Sequence, residues 1–298
     1  MARIILTGAT GFIGSGLVPK LETAGHSVKC LVRLAGFDRA IQKLGEARCL
    51  AIPESQGELV SLLDNFKPDA IMHLASLFLS SHAPDQAAEL VESNITFPTR
   101  LLEAMKGARI RHFLNTGTIF QCATGAPGTP FNLYAATKQA FEDVLQHYVR
   151  NEGFCAITLR LADTFGIGDT RRKIVQLLVD AAVREEALAL SLGEQKISLT
   201  WVDDVRSGFV QGLERLLGAK DAGHEVFGLC NPELVTIRDL GRLVETAIGH
   251  SVDFQWGKRP YRQGEIMVPV LPQKLPGWDA KMDIKDGVWR LISTKPNF

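Results

Sequence analysis

The 298-residue chain has no net charge, with 33 lysines and arginines matched by 33 aspartates and glutamates. A neutral chain offers no electrostatic footprint for nucleic acid or for an anionic membrane surface. Cysteine is sparse. Cys30, Cys49, Cys122, Cys155 and Cys230 are scattered, odd in number and without a C-x-x-C pair. That pattern argues against a disulfide framework or a zinc site, so no metal is expected, and it reads as reduced core thiols in a cytoplasmic protein. No apolar run approaches the roughly 18 residues that span a bilayer. No basic, apolar leader opens the chain either, because Arg3 runs at once into a strand and a glycine turn. Internal repeats and low-complexity segments are also lacking. With 46% apolar and 22% charged residues, the chain is long enough for one large domain and a smaller lobe.

The glycine turn is the most informative segment. The apolar run Ile4–Leu6 ends at Thr7-Gly8, glycines recur at Gly11 and Gly14, and Leu17, Val18 and Leu21 continue at helical spacing. A strand turning sharply into a helix accounts for all of it. Its glycines permit a tight turn, a close approach to a pyrophosphate, and packing of the helix on the sheet. The helix N-terminus then presents free N–H groups and the positive end of its dipole to the phosphates. This predicts a dinucleotide-binding site.

Strands are expected at Arg3–Leu6, Ser27–Val32, Arg48–Ile52, Ala70–Leu74, His112–Asn115 and Ala156–Leu161, with helices at Leu59–Asn65, Asp85–Met105 and Tyr134–Asn151. Such alternation predicts an α/β fold, a doubly wound parallel sheet of the Rossmann type covered on both faces. Pro98 inside the second of these helices predicts a kink or a helix start. Arg171–Ala189 and Thr236–Ile248 read as amphipathic helices. The expected division is 1–165 plus 199–231 for the dinucleotide-binding domain. Residues 166–198 plus 232–298 would form a smaller C-terminal substrate lobe over the carboxyl edge of the sheet.

Tyr134-Ala-Ala-Thr-Lys138 is the second constellation. Tyrosine and lysine four apart share a helix face. An ammonium beside a phenol favours the phenolate and lowers a reference pKa of about 10 towards neutrality. Tyr134 is therefore a candidate proton donor or acceptor for a carbonyl/alcohol pair. Taken alone such a pair is weak evidence; downstream of a dinucleotide turn it gains meaning.

With both constellations in hand, the chain resembles an extended short-chain dehydrogenase/reductase of the nucleotide-sugar epimerase/dehydratase family. Thr7-Gly-Ala-Thr-Gly-Phe-Ile-Gly14 matches that family's TGxxGxxG turn, and His73-Leu-Ala-Ser76 its HLAA segment. Tyr134 and Lys138 match the catalytic pair. Arg160-Leu-Ala-Asp-Thr-Phe-Gly166 resembles RxxNxYG, Trp201-Val-Asp-Asp-Val205 resembles YVDDV, and Leu275-Pro-Gly-Trp278 resembles LGW. The resemblance implies catalytic Thr116, Tyr134 and Lys138. It implies cofactor contacts at Thr7, Gly8, Thr10, Gly11, Phe12, Ile13, Gly14, Leu74, Ala75 and Ser76, with Lys138 on the nicotinamide ribose. Asn94 is placed with them as a brace of its helix, and substrate contacts fall to Thr116, Thr118, Asp163 and Arg262.

Departures from the family separate its activities. Its 4,6-dehydratases follow the catalytic threonine with Asp-Glu, whereas Thr116 is followed by Gly117-Thr118, which argues against dehydration. NAD-specific members end the second strand with an acid that bonds the adenosine ribose. Here that position is Arg33, whose guanidinium suits a 2′-phosphate. NADP(H) is thus preferred, with NAD(H) the alternative. A reduced cofactor pool implies net reduction of a nucleoside-diphosphate 4-keto-6-deoxy sugar, with hydride to C4 and Tyr134 as proton donor. An NAD-retaining 4-epimerase, and an NADP(H)-binding sensor without turnover, are the alternatives. Asp163 for the family asparagine, Ile197 for an arginine and Phe120-Gln121 for Tyr-Gly leave room for smaller ketones, as in dihydroflavonol-reductase-like relatives. The Arg171-Arg-Lys173 cluster reads as a solvated helix start. The family also implies a homodimer through a four-helix bundle, here from apolar Leu90, Leu101, Leu102, Met105, Phe141, Val144, Leu145 and Tyr148.

Overall fold

The computed structural model describes residues 1–126 and 128–295. Seven strands form the large sheet: β1 (Arg3–Thr7), β2 (Ser27–Val32), β3 (Cys49–Ala51), β4 (Ala70–His73), β5 (His112–Thr118), β6 (Cys155–Leu161) and β10 (Gly223–Leu229). Their spatial order is β3-β2-β1-β4-β5-β6-β10, and every pair is parallel. In β1, Ile4 and Leu6 enter one hydrophobic cluster and Ile5 the other. A continuous apolar run is therefore what a strand buried on both faces requires.

Helices α1 (Phe12–Thr23), α2 (Phe37–Leu44) and α8 (Val202–Leu217) cover the first face; α3 (Gln56–Phe66), α5 (Phe97–Gly107) and α6 (Leu133–Glu152) cover the second. Winding reverses between β1 and β4. A crevice therefore opens at their carboxyl ends, where Gly8 and His73–Ser76 emerge. The expected helix Asp85–Met105 is broken into α4 (Gln86–Val91), a π turn (Glu92–Thr96) and α5. Pro98 lacks the N–H that an α-helical bond to Asn94 would need, and the widened turn absorbs that loss.

A smaller sheet joins β7 (Asp163–Phe165), β9 (Lys196–Trp201) and β11 (Leu234–Thr236), and β8 (Leu188–Ala189) pairs with β12 (Phe254–Gln255). With α7 (Ile174–Arg184), α9 (Ile237–Ile248) and α10 (Ile284–Ser293) these strands enclose a third apolar cluster. Strand β9 thus pairs in the small sheet, and the chain returns to the large one through α8 and β10. Residues 296–298 of the expected lobe lie outside the described residues. Arg171–Ala189 is not one helix: α7 starts only at Ile174 and ends at Arg184, with Glu185 in the left-handed region at φ 55°.

On the helices expected to form the dimer, Leu101, Leu102, Met105, Phe141, Leu145 and Tyr148 are buried in the cluster on the second face of the sheet, Val144 packs against it half-buried, and Leu90 is buried as well. No helix among the described residues is long and apolar enough to cross a membrane.

Candidate active site

The glycine turn closes on backbone. Gly8 has φ +72°, and a Cβ there would lie 2.6 Å from Leu74 C and Ala75 N. At Gly14 a Cβ would meet Gly8 O at 2.2 Å, whereas at Gly11 the nearest atom is 3.2 Å away. Gly11 caps α1 without a side-chain hydrogen bond, and the first turn carries no acid. The N-terminal N–H groups of α1 are therefore left without a capping side chain among the described residues, as an anion-binding helix start requires.

Thr7 is fully buried; its Oγ1 accepts from Ala75 N–H (3.1 Å) and lies 2.9 Å from His73 Nδ1. Its side chain therefore ties β1 to β4. His73 packs among Phe97, Phe113 and Phe141. Burial, then the Lys138 charge, holds its imidazole well below the usual histidine range. Leu74 and Ala75 continue this wall as backbone beside Gly8.

Two guanidiniums flank the half-buried Phe12 ring, Arg171 at 4.8 Å and Arg206 at 5.9 Å. Arg206 also donates to the carbonyls of Phe12 (2.6 Å) and Ile13 (3.1 Å). Thr10 is exposed, and its carbonyl accepts from Lys43 Nζ (2.7 Å). Arg33 stands exposed at the end of β2, with no polar partner for its side chain among the described residues.

Helix α6 brings Tyr134, Lys138 and Glu142 to one face, aided by the Asn132 cap on Ala135 N–H. Lys138 is 1% exposed, and its Nζ has no hydrogen-bond partner among the described residues. Burial pulls the ammonium down to about 8, against a raising influence from Glu142. Glu142 is itself held by Arg160 (2.7 Å) and Gln121 (2.9 Å). Tyr134 meets Phe78 edge-on at 5.0 Å. The expected lowering of its phenol by Lys138 is not what this geometry produces: burial raises it, while Ser76 and Arg171 pull it back.

Thr116 lies near the end of β5, half-buried, and its hydroxyl donates to His73 O (2.9 Å). Thr118 is buried and caps the turn Ile119–Cys122, its Oγ1 accepting from Phe120 N–H and its own N–H donating to Gln121 (2.8 Å). Asn94 is spent as a brace. Its Oδ1 accepts from Ser76 Oγ (3.0 Å) and Leu77 N (2.9 Å), and its Nδ2 donates to Leu77 O and Thr137 Oγ1 (both 3.0 Å).

The basic cluster is also corrected. Arg171 and Lys173 precede α7 and turn inward. Arg171 forks onto Asp169 (2.7 and 2.8 Å) and Thr164 O; Lys173 binds Asp163 (2.8 Å) and lies over Phe78 (5.1 Å). Periodicity had given no sign of this, because the residues stand outside any helix. Arg262 sits exposed on a turn closed through Glu265, away from these contacts. No group of three or more metal-ligating side chains occurs among the described residues.

A nicotinamide dinucleotide fits this arrangement. The turn has no room for a side chain at Gly8 or Gly14, α1 opens without a capping side chain, and the buried Lys138 ammonium lacks a partner among the described residues. Residues 4–225 match the model of the NAD dependent epimerase/dehydratase family. Among curated proteins the chain is 26% identical to CDP-abequose synthase of Salmonella muenchen over 98% of both chains. It is 28% identical to CDP-abequose synthase of Yersinia pseudotuberculosis, over 90% of this chain and 91% of that one. A UDP-glucuronic acid 4-epimerase from Bacillus cereus, solved with UDP-glucuronic acid and NAD, superimposes with a TM-score of 0.80 at 22% identity, over 98% of each chain. The protein belongs to the NAD dependent epimerase/dehydratase family and is an NAD(P)-dependent enzyme of the extended short-chain dehydrogenase/reductase type.

Proposed function

We propose that the protein is an NADPH-dependent reductase of a nucleoside-diphosphate 4-keto-6-deoxy sugar. The observation that carries this reading is Arg33, exposed at the end of β2 with no polar partner for its side chain among the described residues, where a guanidinium suits the 2′-phosphate of NADP(H). The CDP-abequose synthase relatives, whose names denote makers of a CDP-linked sugar, support the substrate class. Asp-Glu is missing after Thr116, which leaves elimination of water without its acid and base.

When bound, the cofactor supplies the hydride. Lys138 would hold its ribose, the N-terminus of α1 its pyrophosphate, and Arg33 a 2′-phosphate. Thr116 would hold the reacting oxygen once its hydroxyl turns from His73 O, Tyr134 gives that oxygen its proton, and Arg171 favours the phenolate left behind.

The test is oxidation of NADPH, with NADH in parallel, against CDP-, UDP- and dTDP-linked 4-keto-6-deoxyhexoses. NADPH turnover that falls by at least about a thousandfold in Tyr134→Phe is expected. Arg33→Asp should move the preference towards NADH by about 10- to 100-fold, the worth of one or two charge-assisted bonds. Interconversion of a nucleotide sugar without net cofactor consumption would replace this reading with the NAD-retaining 4-epimerase, the reading favoured by the likeness to the Bacillus cereus fold. Cofactor binding with no turnover of either kind would leave a sensor.

A further inference from the structure

Lys138 and Glu142 stand one turn apart on α6, the spacing at which opposite charges on a helix meet, yet they do not pair. Lys138 Nζ has no hydrogen-bond partner among the described residues, and each Glu142 oxygen is held from another element. Arg160 Nη2 donates to Oε1 (2.7 Å) and Gln121 Nε2 to Oε2 (2.9 Å). Gln121 is fully buried. Its amide cannot be flipped, because Thr118 N–H donates to its Oε1 (2.8 Å), which leaves Nε2 for Glu142 and for Gln139 Oε1 (3.1 Å). Gly117 makes the room: a Cβ there would lie 2.7 Å from Gln121 Oε1 and 2.9 Å from Arg160 Cγ. The family segment that Phe120-Gln121 resembles carries glycine in place of Gln121, so this amide is the chain's own addition.

We propose that Gln121 is a positioning residue for Lys138: from the turn after β5 it holds the Glu142 carboxylate away from the ammonium, which stays free for the cofactor's ribose. A buried ammonium and a buried carboxylate on one helix face attract strongly, because little water screens them. On α6, Tyr134 lies one turn before Lys138 and Glu142 one turn after it, so an ion pair with Glu142 would draw the ammonium away from Tyr134. Arg160 balances the carboxylate's charge, and Gln121 occupies the oxygen that Arg160 leaves. Glu142 then acts on Lys138 only through space, in the raising direction. Other titratable and charged groups surround the pair. His73 faces Lys138 from β4; Arg160 from β6, with Cys122 beside it (3.5 Å), and His224 from β10 lie about Glu142. Burial holds both imidazoles below the usual histidine range, so neither changes charge where Lys138 titrates. Arg171 acts on Tyr134 from the segment before α7, and Glu103 of α5 accepts from Tyr148 (2.5 Å) at the far end of α6.

The effect on turnover rests on the reductase reading, whereas the titration of Lys138 needs neither substrate nor cofactor. The NMR resonance of Lys138 Cε, assigned by its loss in Lys138→Met, gives the midpoint in the cofactor-free protein. Gln121→Met keeps a side chain of similar length and removes the bond to Glu142. The midpoint is expected to rise by about one pH unit and the NADPH Kd about tenfold. Gln121→Gly, the residue of the resembled family, should act in the same direction. With Glu142→Gln added to either variant no carboxylate remains to capture the ammonium, so the midpoint should fall back to the wild-type value or below it. On a 4-keto sugar substrate Gln121→Met should lower kcat about tenfold at unchanged sugar KM. A midpoint unmoved in both folded Gln121 variants overturns the proposal; Glu142 would then have turned to the unpartnered Nε of Arg160. A rise that persists after Glu142→Gln overturns it as well. A raised midpoint in a protein that reduces no 4-keto sugar supports it and overturns the reductase reading instead.

Discussion

Lys138 is a charge held where water cannot reach it, and the cost is readable in pH. Burial brings its folded-state value from 10.5 to about 8, while the unfolded chain keeps the ordinary one. Between those two values the unfolded chain binds the extra proton, so stability rises with pH across that window and is lowest below it. Lys138→Met should therefore stabilise the cofactor-free protein by about 3 kcal/mol at pH 7 and by little above pH ~10.5, while turnover is lost. Urea unfolding at the two pH values checks the sign; equal stabilisation at both would refute it. The residue itself was legible, because i,i+4 spacing from Tyr134 is a helix-face signal. Its effect on Tyr134 was not. Spacing says which side chains share a face, but burial decides the direction of a titration, and burial is set by Phe78 and by the segment before α7. Ser76 and Arg171 reach the phenol from other parts of the chain, where no period connects them to it.

At the level of elements, the turn from β1 into α1 was legible because steric demand leaves glycine as its mark. The structure ranks those glycines, which the motif does not. Gly14 faces the Gly8 carbonyl, which cannot move without opening the turn, whereas Gly11 has looser surroundings. Gly14→Ala is expected to cost about 3 kcal/mol and to weaken cofactor binding at least tenfold. Gly11→Ala should cost under about 1 kcal/mol. NADPH fluorescence titration beside urea unfolding separates the two, and equal losses would contradict the ranking. Helices α4–α6 were harder to read. Their apolar residues fit an outward stripe as well as an inward one, and only the sheet's position shows that Phe141, Leu145 and Tyr148 face inward. The π turn escaped notice for a similar reason: Pro98 announces a break, but whether the chain kinks or widens depends on Asn94 finding Ser76, Leu77 and Thr137.

Across the whole molecule, a buried carboxylate ties α8, on the large sheet, to the segment that leads into α10. Asp204, in the first turn of α8, accepts from the backbone N–H groups of Lys281 (3.0 Å) and Met282 (2.8 Å), and Trp278 Nε1 donates to its carbonyl (2.9 Å). Leu275 and Trp278 are buried in the cluster beneath α8, so the segment that leads into α10 is anchored on the large sheet. The helix dipole favours the carboxylate at this end of α8, and the fork from Asp169 to Arg171 to Phe12 joins the same two parts near the glycine turn. Asp204→Ala removes the acceptor of two part-buried N–H groups, at a cost of about 1–2 kcal/mol, without touching the cofactor turn. The small sheet and its helices should then loosen while the large sheet holds. Substrate KM should rise with the cofactor Kd unchanged, and amide exchange should quicken at Lys281 and Met282 before it does in β1 or β4. Asp204→Asn, which keeps an acceptor oxygen, should recover most of the protection. Uniform quickening across both sheets would mean that the molecule unfolds as one unit and that the carboxylate is no hinge between them.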